Sequence, residues 1–144
     1  MSTIDNKFQS KNFKSWSNSD LKNILVDGKR YNSFDFMQKE WEFMWPKVWL
    51  LLGREEEIPY PGDYQMEDVG RESFLMVRQD DNSIKSFYNV CQHRGARLTF
   101  NDLGTAETFN CPYHGWKWRK DGKLIEAQDP EDFPQGDPCQ NLRL

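Results

Sequence analysis

With 144 residues the chain is long enough for one hydrophobic core and too short for two domains of ordinary size. A formal net charge of −4 and a pI near 5.2 argue against a nucleic-acid partner. The longest apolar run, Val48 to Leu52, is far too short to span a bilayer, so no membrane partner is expected.

Met1 to Ser19 is polar, rich in Ser, Asn and Lys, and has no apolar signal-peptide core. Residues 1–32 are therefore expected to form a polar N-terminal arm, flexible or ordered only against a partner. Ser33 can cap a helix in which Phe34, Met37, Trp41, Met44 and Val48 recur at three-to-four-residue spacing, until Pro46 disturbs the last turn. That stripe is expected to pack in the core. Strand patterns follow at Val48–Leu52, Tyr64–Val69, Ser73–Arg78 and Ile84–Asn89, separated by the turn residues Pro59-Tyr60-Pro61-Gly62 and Asp80-Asp81-Asn82. Trp116–Lys120 and Lys123–Glu126 flank Asp121-Gly122, a strong hairpin signal. Most aromatic residues fall between Phe34 and Trp118, so that stretch is expected to supply the core.

Chemistry concentrates in two short clusters. The first is Cys91-Gln92-His93-Arg94-Gly95 and the second Cys111-Pro112-Tyr113-His114-Gly115-Trp116, and the chain has no other histidine. The spacing is C-x-H, seventeen residues, then C-x-x-H. Two sulfurs and two nitrogens suit a tetrahedral zinc or an iron–sulfur cluster. Zinc sites of this composition usually gather both cysteines in one knuckle and both histidines on one helix. Here each loop offers one of each, which suits a [2Fe–2S] cluster with two cysteines on one iron and two histidines on the other. Gly95 and Gly115 stand where the backbone must turn tightly and bring its N–H groups near sulfur. Cys139 remains outside both clusters, an incidental thiol. Three cysteines make no disulfide framework, which favours the cytoplasm.

The strings CQHRG and CPYHGW resemble, in order and spacing, the two cluster-binding loops of the Rieske iron–sulfur proteins. The resemblance implies that Cys91 and Cys111 hold the inner iron, and His93 and His114 the outer one. It implies a mostly β fold of stacked antiparallel sheets with two projecting loops, plus one N-terminal helix. The loops of respiratory members each carry an extra cysteine, paired in a disulfide. Ala96 and Tyr113 occupy those positions here. Those members also place hydroxyl side chains after the second loop that donate to sulfur, where this chain has Trp116 and Trp118. Fewer donors imply a potential low in the Rieske range, near about −150 mV.

The segment W-x-x-x-G-x-x-x-x-I-P-x-P-G-D-Y, from Trp49 to Tyr64, looks like that of the α subunits of ring-hydroxylating non-haem iron oxygenases. The match runs from about Ser33 to Phe133, giving an expected Rieske domain at 33–133 and a tail at 134–144 leading toward a catalytic domain this sequence lacks. In that family the mononuclear Fe(II) is held by two histidines and a carboxylate, and no histidine is spare for such a triad. The implied function is one-electron relay through the [2Fe–2S] cluster, the oxidoreductase chemistry proper belonging to the absent domain. Implied partners are a reductase or ferredoxin donor and a catalytic domain of the same or a neighbouring subunit. A free-standing Rieske ferredoxin is the alternative, and a structural zinc module a remoter one. Tyr60 and Tyr64 are expected to be turn and strand residues rather than acid–base groups. Arg94, Arg97, Lys117, Arg119 and Lys120 lie near the ligands in sequence, as either a docking patch or ordinary strand charges.

Overall fold

The computed structural model describes residues 27–144, so nearly all of the expected N-terminal arm lies outside the described residues. These residues fall into two compact units divided between Leu50 and Leu51.

In the first unit, a single turn of helix α1 (Lys29–Asn32) precedes α2 (Phe34–Phe43). Ser33 separates them in an extended conformation, and its hydroxyl accepts from the Phe36 amide at 3.3 Å, the cap its position predicts. Pro46 ends the α-helical pattern as expected, opening a short 3₁₀ turn at Trp45–Lys47. Trp41 and Trp45 come into ring contact at 6.0 Å. No side chain of α2 is buried, which overturns the expectation that its apolar stripe belongs to the core.

The second unit holds seven short strands in two sheets. β1 (Asp63–Val69), β2 (Glu72–Arg78), β3 (Ile84–Tyr88) and β4 (Leu103–Thr105) form one sheet in the order β3-β2-β1-β4. β5 (Thr108–Asn110), β6 (Lys117–Arg119) and β7 (Leu124–Glu126) form the other, in chain order. Every pairing is antiparallel. Alternation along the strands selects the buried face: in β1, Tyr64 and Met66 are buried, in register with Val77 and Leu75 of β2. Val48–Leu52 forms no strand. An apolar run is not enough without a neighbouring edge to complete its hydrogen bonds.

The core comprises Tyr64, Leu75, Val77, Leu98, Phe109, Trp116, Trp118 and Leu124, together with Cys91 and Cys111. Its residues thus come from both sheets and from the segments between β3 and β4 and between β5 and β6. Tyr64 meets Phe109 edge-on at 5.2 Å, a packing role that agrees with its expected place in a strand. Two buried cations tie the frame. Arg78 donates to the carbonyls of Glu55, Ile58 and Asn82 at 2.7–2.8 Å, pinning the segment that enters β1. Lys120, 6% exposed, reaches Asp80 at 2.6 Å and Glu107 at 2.9 Å, while its carbonyl accepts from Gln79 at 2.9 Å. These bonds link the β2–β3 and β4–β5 turns to the β6–β7 hairpin.

That hairpin turns through Asp121-Gly122, as predicted. The Asp121 carboxylate accepts from the Arg119 guanidinium and from the Lys123 amide. The Arg119 contact is the main cause holding its pKa well below the ordinary 3.8. A carboxylate with a depressed folded pKa stabilises the fold fully above its unfolded value and ceases to do so as pH falls through the folded one. Asp121→Asn should therefore cost about 1 kcal/mol in urea unfolding at pH 7. The gap from the parent should close at pH values well below about 4. An unchanging gap across that range would show that the charge contributes nothing.

Candidate metal centre

The two motif loops are built on one plan. In the first, the Cys91 amide donates to the Ala96 carbonyl at 2.7 Å and the Gly95 amide to the Cys91 carbonyl at 2.9 Å. In the second, the Cys111 amide donates to the Trp116 carbonyl at 2.8 Å and the Gly115 amide to the Cys111 carbonyl at 3.0 Å. Each cysteine thus opens a turn that the residue four positions on closes and the residue five positions on seals. The closing residue needs a positive φ, +76° at Gly95 and +70° at Gly115, and glycine reaches that region without strain. The two glycines turn the chain as expected, although their N–H groups bond cysteine carbonyls. The backbone N–H beside the Cys91 sulfur is that of His93.

These turns bring the candidate donors into two close pairs, cysteine beside cysteine and histidine beside histidine. Cys91 and Cys111 are 1% and 4% exposed, are not in a disulfide, and have neighbouring sulfurs. Burial pushes the Cys91 thiol above its ordinary range, opposed by the His93 backbone N–H and the Trp118 indole, while Cys111 pushes it further up. His93 and His114 meet edge to face with centroids 4.8 Å apart. In both, Nδ1 is buried and has no hydrogen-bond partner. Buried imidazole nitrogens are rarely left unpaired, and two orphaned together mark atoms shaped to accept something other than a protein donor. Burial, then the charges of His114 and Arg94, holds the His93 pKa below its ordinary value, keeping the neutral ring a metal ligand requires.

Aromatic walls fix both rings. His93 stacks on Trp116 at 4.5 Å with only 7° between planes, and Phe133 meets both His93 and Trp116 edge-on. His114 is covered by Tyr113, whose other neighbour is the Arg94 guanidinium 5.5 Å from its ring centre. His93 also borders a hollow of about 310 Å³ lined by Trp116, Phe133, Pro138 and Leu142.

Residues 48–136 match the family model of the Rieske [2Fe–2S] domain. The chain belongs to that family. The domain's cofactor is a [2Fe–2S] cluster, and the donor set and its two orphaned nitrogens fit one. The chain is 38% identical over 128 residues to the chlorobenzene dioxygenase α subunit of Cupriavidus sp. strain PS12, an alignment covering 84% of this chain and 28% of that one. It is 41% identical over 103 residues to the biphenyl dioxygenase α subunit of Metapseudomonas furukawaii, covering 72% and 22%. A quaternary ammonium Rieske monooxygenase in complex with L-carnitine superposes with a TM-score of 0.71 at 30% identity, over 81% of this chain and 33% of that one. The chain thus spans about a third or less of the proteins it matches.

The basic residues flanking the Rieske ligand loops do not form a free patch. Arg97 pairs with Asp68 at 2.9 Å, Lys117 with Glu126, Arg119 with Asp121, and Lys120 is buried between Asp80 and Glu107. These four are neutralised by acids from nearby strands or turns, as ordinary strand charges are, whereas the exposed Arg94 lies over the Tyr113 ring. Among the described residues, no three His, Cys, Asp or Glu side chains gather as a single ion's ligand set.

Two residues that shape the Rieske centre carry no motif signal. Asn89, 1% exposed, accepts from the Leu98 and Thr99 amides at 3.1 Å and donates to the Thr99 carbonyl at 2.8 Å. It closes the segment that presents Cys91 and His93. A lone Asn after a strand reads as an ordinary turn residue, so nothing marks it in advance. The other is Phe133, near the end of the resemblance, whose distance in sequence hides its place beside His93.

Proposed function

We propose that this chain relays single electrons, with Cys91, His93, Cys111 and His114 as the cluster ligands. The single observation that carries the assignment is the pair of buried, unpartnered Nδ1 atoms beside two buried free thiols. The order of the donors, one cysteine and one histidine from each loop, supports a two-iron core over zinc. When bound, the cluster accepts and releases one electron. The protein supplies the rest. The twin turns hold the thiol pair in the core, excluding water from the sulfur side. Trp116 and Tyr113 lock the imidazole planes, so the rings need little rearrangement as charge changes. The partly exposed edge of His93 borders the hollow beside Phe133, where an electron partner can approach.

The α-subunit relatives and the resemblance of the Trp49–Tyr64 segment support a place in a Rieske non-haem iron oxygenase of the aromatic-ring-hydroxylating type. On that reading the mononuclear iron and the substrate pocket belong to a catalytic domain of the same or a neighbouring subunit. A reductase or ferredoxin supplies electrons. The working domain extends over 33–133, with 134–144 leading onward, and the protein resides in the cytoplasm. Among the described residues no helix is long and apolar enough to cross a membrane.

The test is spectroscopic. Anaerobically purified protein, reduced with dithionite, should give a rhombic electron paramagnetic resonance signal averaging near g of about 1.9, as two nitrogen donors on one iron require. A colourless protein, or a signal typical of all-sulfur ligation, would sink the assignment.

A further inference from the structure

Each candidate imidazole leans on an aromatic ring, but the two rings differ in how they are held. His93 stacks on Trp116, which is 2% exposed and packed in the core, so that indole has nowhere to turn. His114 leans on Tyr113 with 3.8 Å between ring centres, and Tyr113 is 58% exposed. An exposed side chain changes rotamer within nanoseconds, so such a ring cannot by itself hold a neighbour in one orientation. The second imidazole needs a further group to keep its wall in place.

Arg94 supplies it. It follows His93 in the first loop, and its guanidinium carbon lies over the Tyr113 ring of the second loop, 5.5 Å from the centre. Arg97, Lys117, Arg119 and Lys120 are all paired with acids, whereas among the described residues Arg94 forms no ion pair. A guanidinium is planar and weakly hydrated, and without a carboxylate to hold it stacks well on an aromatic face. The backbone bonds that shape each turn stay within that turn. The Arg94–Tyr113 contact crosses between the loops on their solvent side.

We propose that Arg94 is a positioning residue of the metal centre: lying over Tyr113, it holds that ring against His114 and so fixes, from the first loop, the imidazole of the second. The inference rests on His114 being a cluster ligand. A ligand imidazole keeps its bond only while its ring plane is maintained, and groups that orient ligands are part of a site's affinity. Arg94 does this without touching His114, so its effect must pass through the Tyr113 ring.

A double-mutant cycle on the loaded, intact chain tests that dependence. Arg94→Gln and Tyr113→Leu should each speed the release of iron to excess chelator about two- to fivefold, the range of an exposed cation–π contact. The double variant should release iron no faster than Tyr113→Leu alone. Tyr113→Phe keeps the ring and should recover what Leu loses, and Arg94→Lys should fall between parent and Gln. Nitrogen hyperfine spectra of the reduced protein supply a second readout. Arg94→Gln should broaden the couplings of one histidine and leave those of the other sharp. Additive effects in the cycle, or parent-like release and hyperfine spectra in Arg94→Gln, overturn the proposal and leave Arg94 a surface cation. If Arg94→Gln assembles no cluster, Arg94→Lys takes its place in the cycle under the same criteria. Absence of the g of about 1.9 signal from the parent itself would instead strike the ligand assignment, and this inference with it.

Discussion

Cys91→Ser should yield a folded, nearly colourless protein whose iron and acid-labile sulfide fall at least about tenfold below the parent's. Serine is close to cysteine in volume, and the position is sealed at 1% exposure, so the core keeps its packing. What disappears is the donor. Burial already holds the Cys91 thiol above its ordinary pKa, and a hydroxyl in that place would hold its proton far more firmly. Thiolate ligation would then rest on Cys111 alone, and one iron would lose half of its protein ligands. Because the ligands come from two loops about twenty residues apart, the bound group also staples those loops together. The parent should therefore lose thermal stability on treatment with a strong iron chelator, while the Ser variant should melt at the chelated parent's temperature with or without chelator. Cys139→Ser is the control. That thiol lies outside both loops, and its replacement should leave iron content unchanged. Normal iron in Cys91→Ser together with depleted iron in Cys139→Ser would reverse the assignment.

The two motif turns were legible because a tight turn demands particular residues at fixed offsets, and the demand survives in one dimension. The strings beginning at Cys91 and Cys111 marked both loops, and the glycine four residues after each cysteine marked the turn that closes it. Ser33, Pro46 and Asp121-Gly122 were legible for the same reason, since a cap, a break and a turn each act within a few residues. What failed was any inference needing the identity of a distant neighbour. Val48–Leu52 has strand composition but no partner edge. The apolar stripe from Phe34 to Val48 has helical spacing, yet no residue of α2 is buried. β4 and β5 are three residues each, too short to show a period, and they exist only because β1 and β6 offer edges to pair with. Lys120 shows the limit most clearly. In sequence it joins a run of surface cations, and only the fold reveals acids from two other turns enclosing it.

Asn89→Ala should be the costliest single change outside the ligands, lowering unfolding free energy by about 4 kcal/mol. The side chain is 1% exposed, and its amide is spent in both senses. Oδ1 accepts from Leu98 and Thr99, and Nδ2 donates to the Thr99 carbonyl and, at 3.2 Å, to Ser73 Oγ. Alanine leaves two backbone amides and one carbonyl in the interior without a partner, each costing about 1–3 kcal/mol, and too little room opens for water to serve all three. Against a typical domain stability of about 5–15 kcal/mol the loss is large but survivable. Asn89→Asp separates the two halves of the effect. It keeps the acceptor for Leu98 and Thr99 but loses the donor, and sets a carboxylate against the Thr99 carbonyl. It should therefore also destabilise at pH 7 and recover part of the loss at low pH, where the protonated acid can donate again. The loop from Asn89 to Thr99 carries Cys91 and His93, so loosening its closure should also weaken retention of iron about 10–100-fold, the range seen when groups that orient ligands are removed. Urea unfolding and competitive chelation measure the two effects separately. If Asn89→Ala unfolds within about 1 kcal/mol of the parent and retains iron equally well, the loop is held by the twin turns alone and Asn89 is incidental.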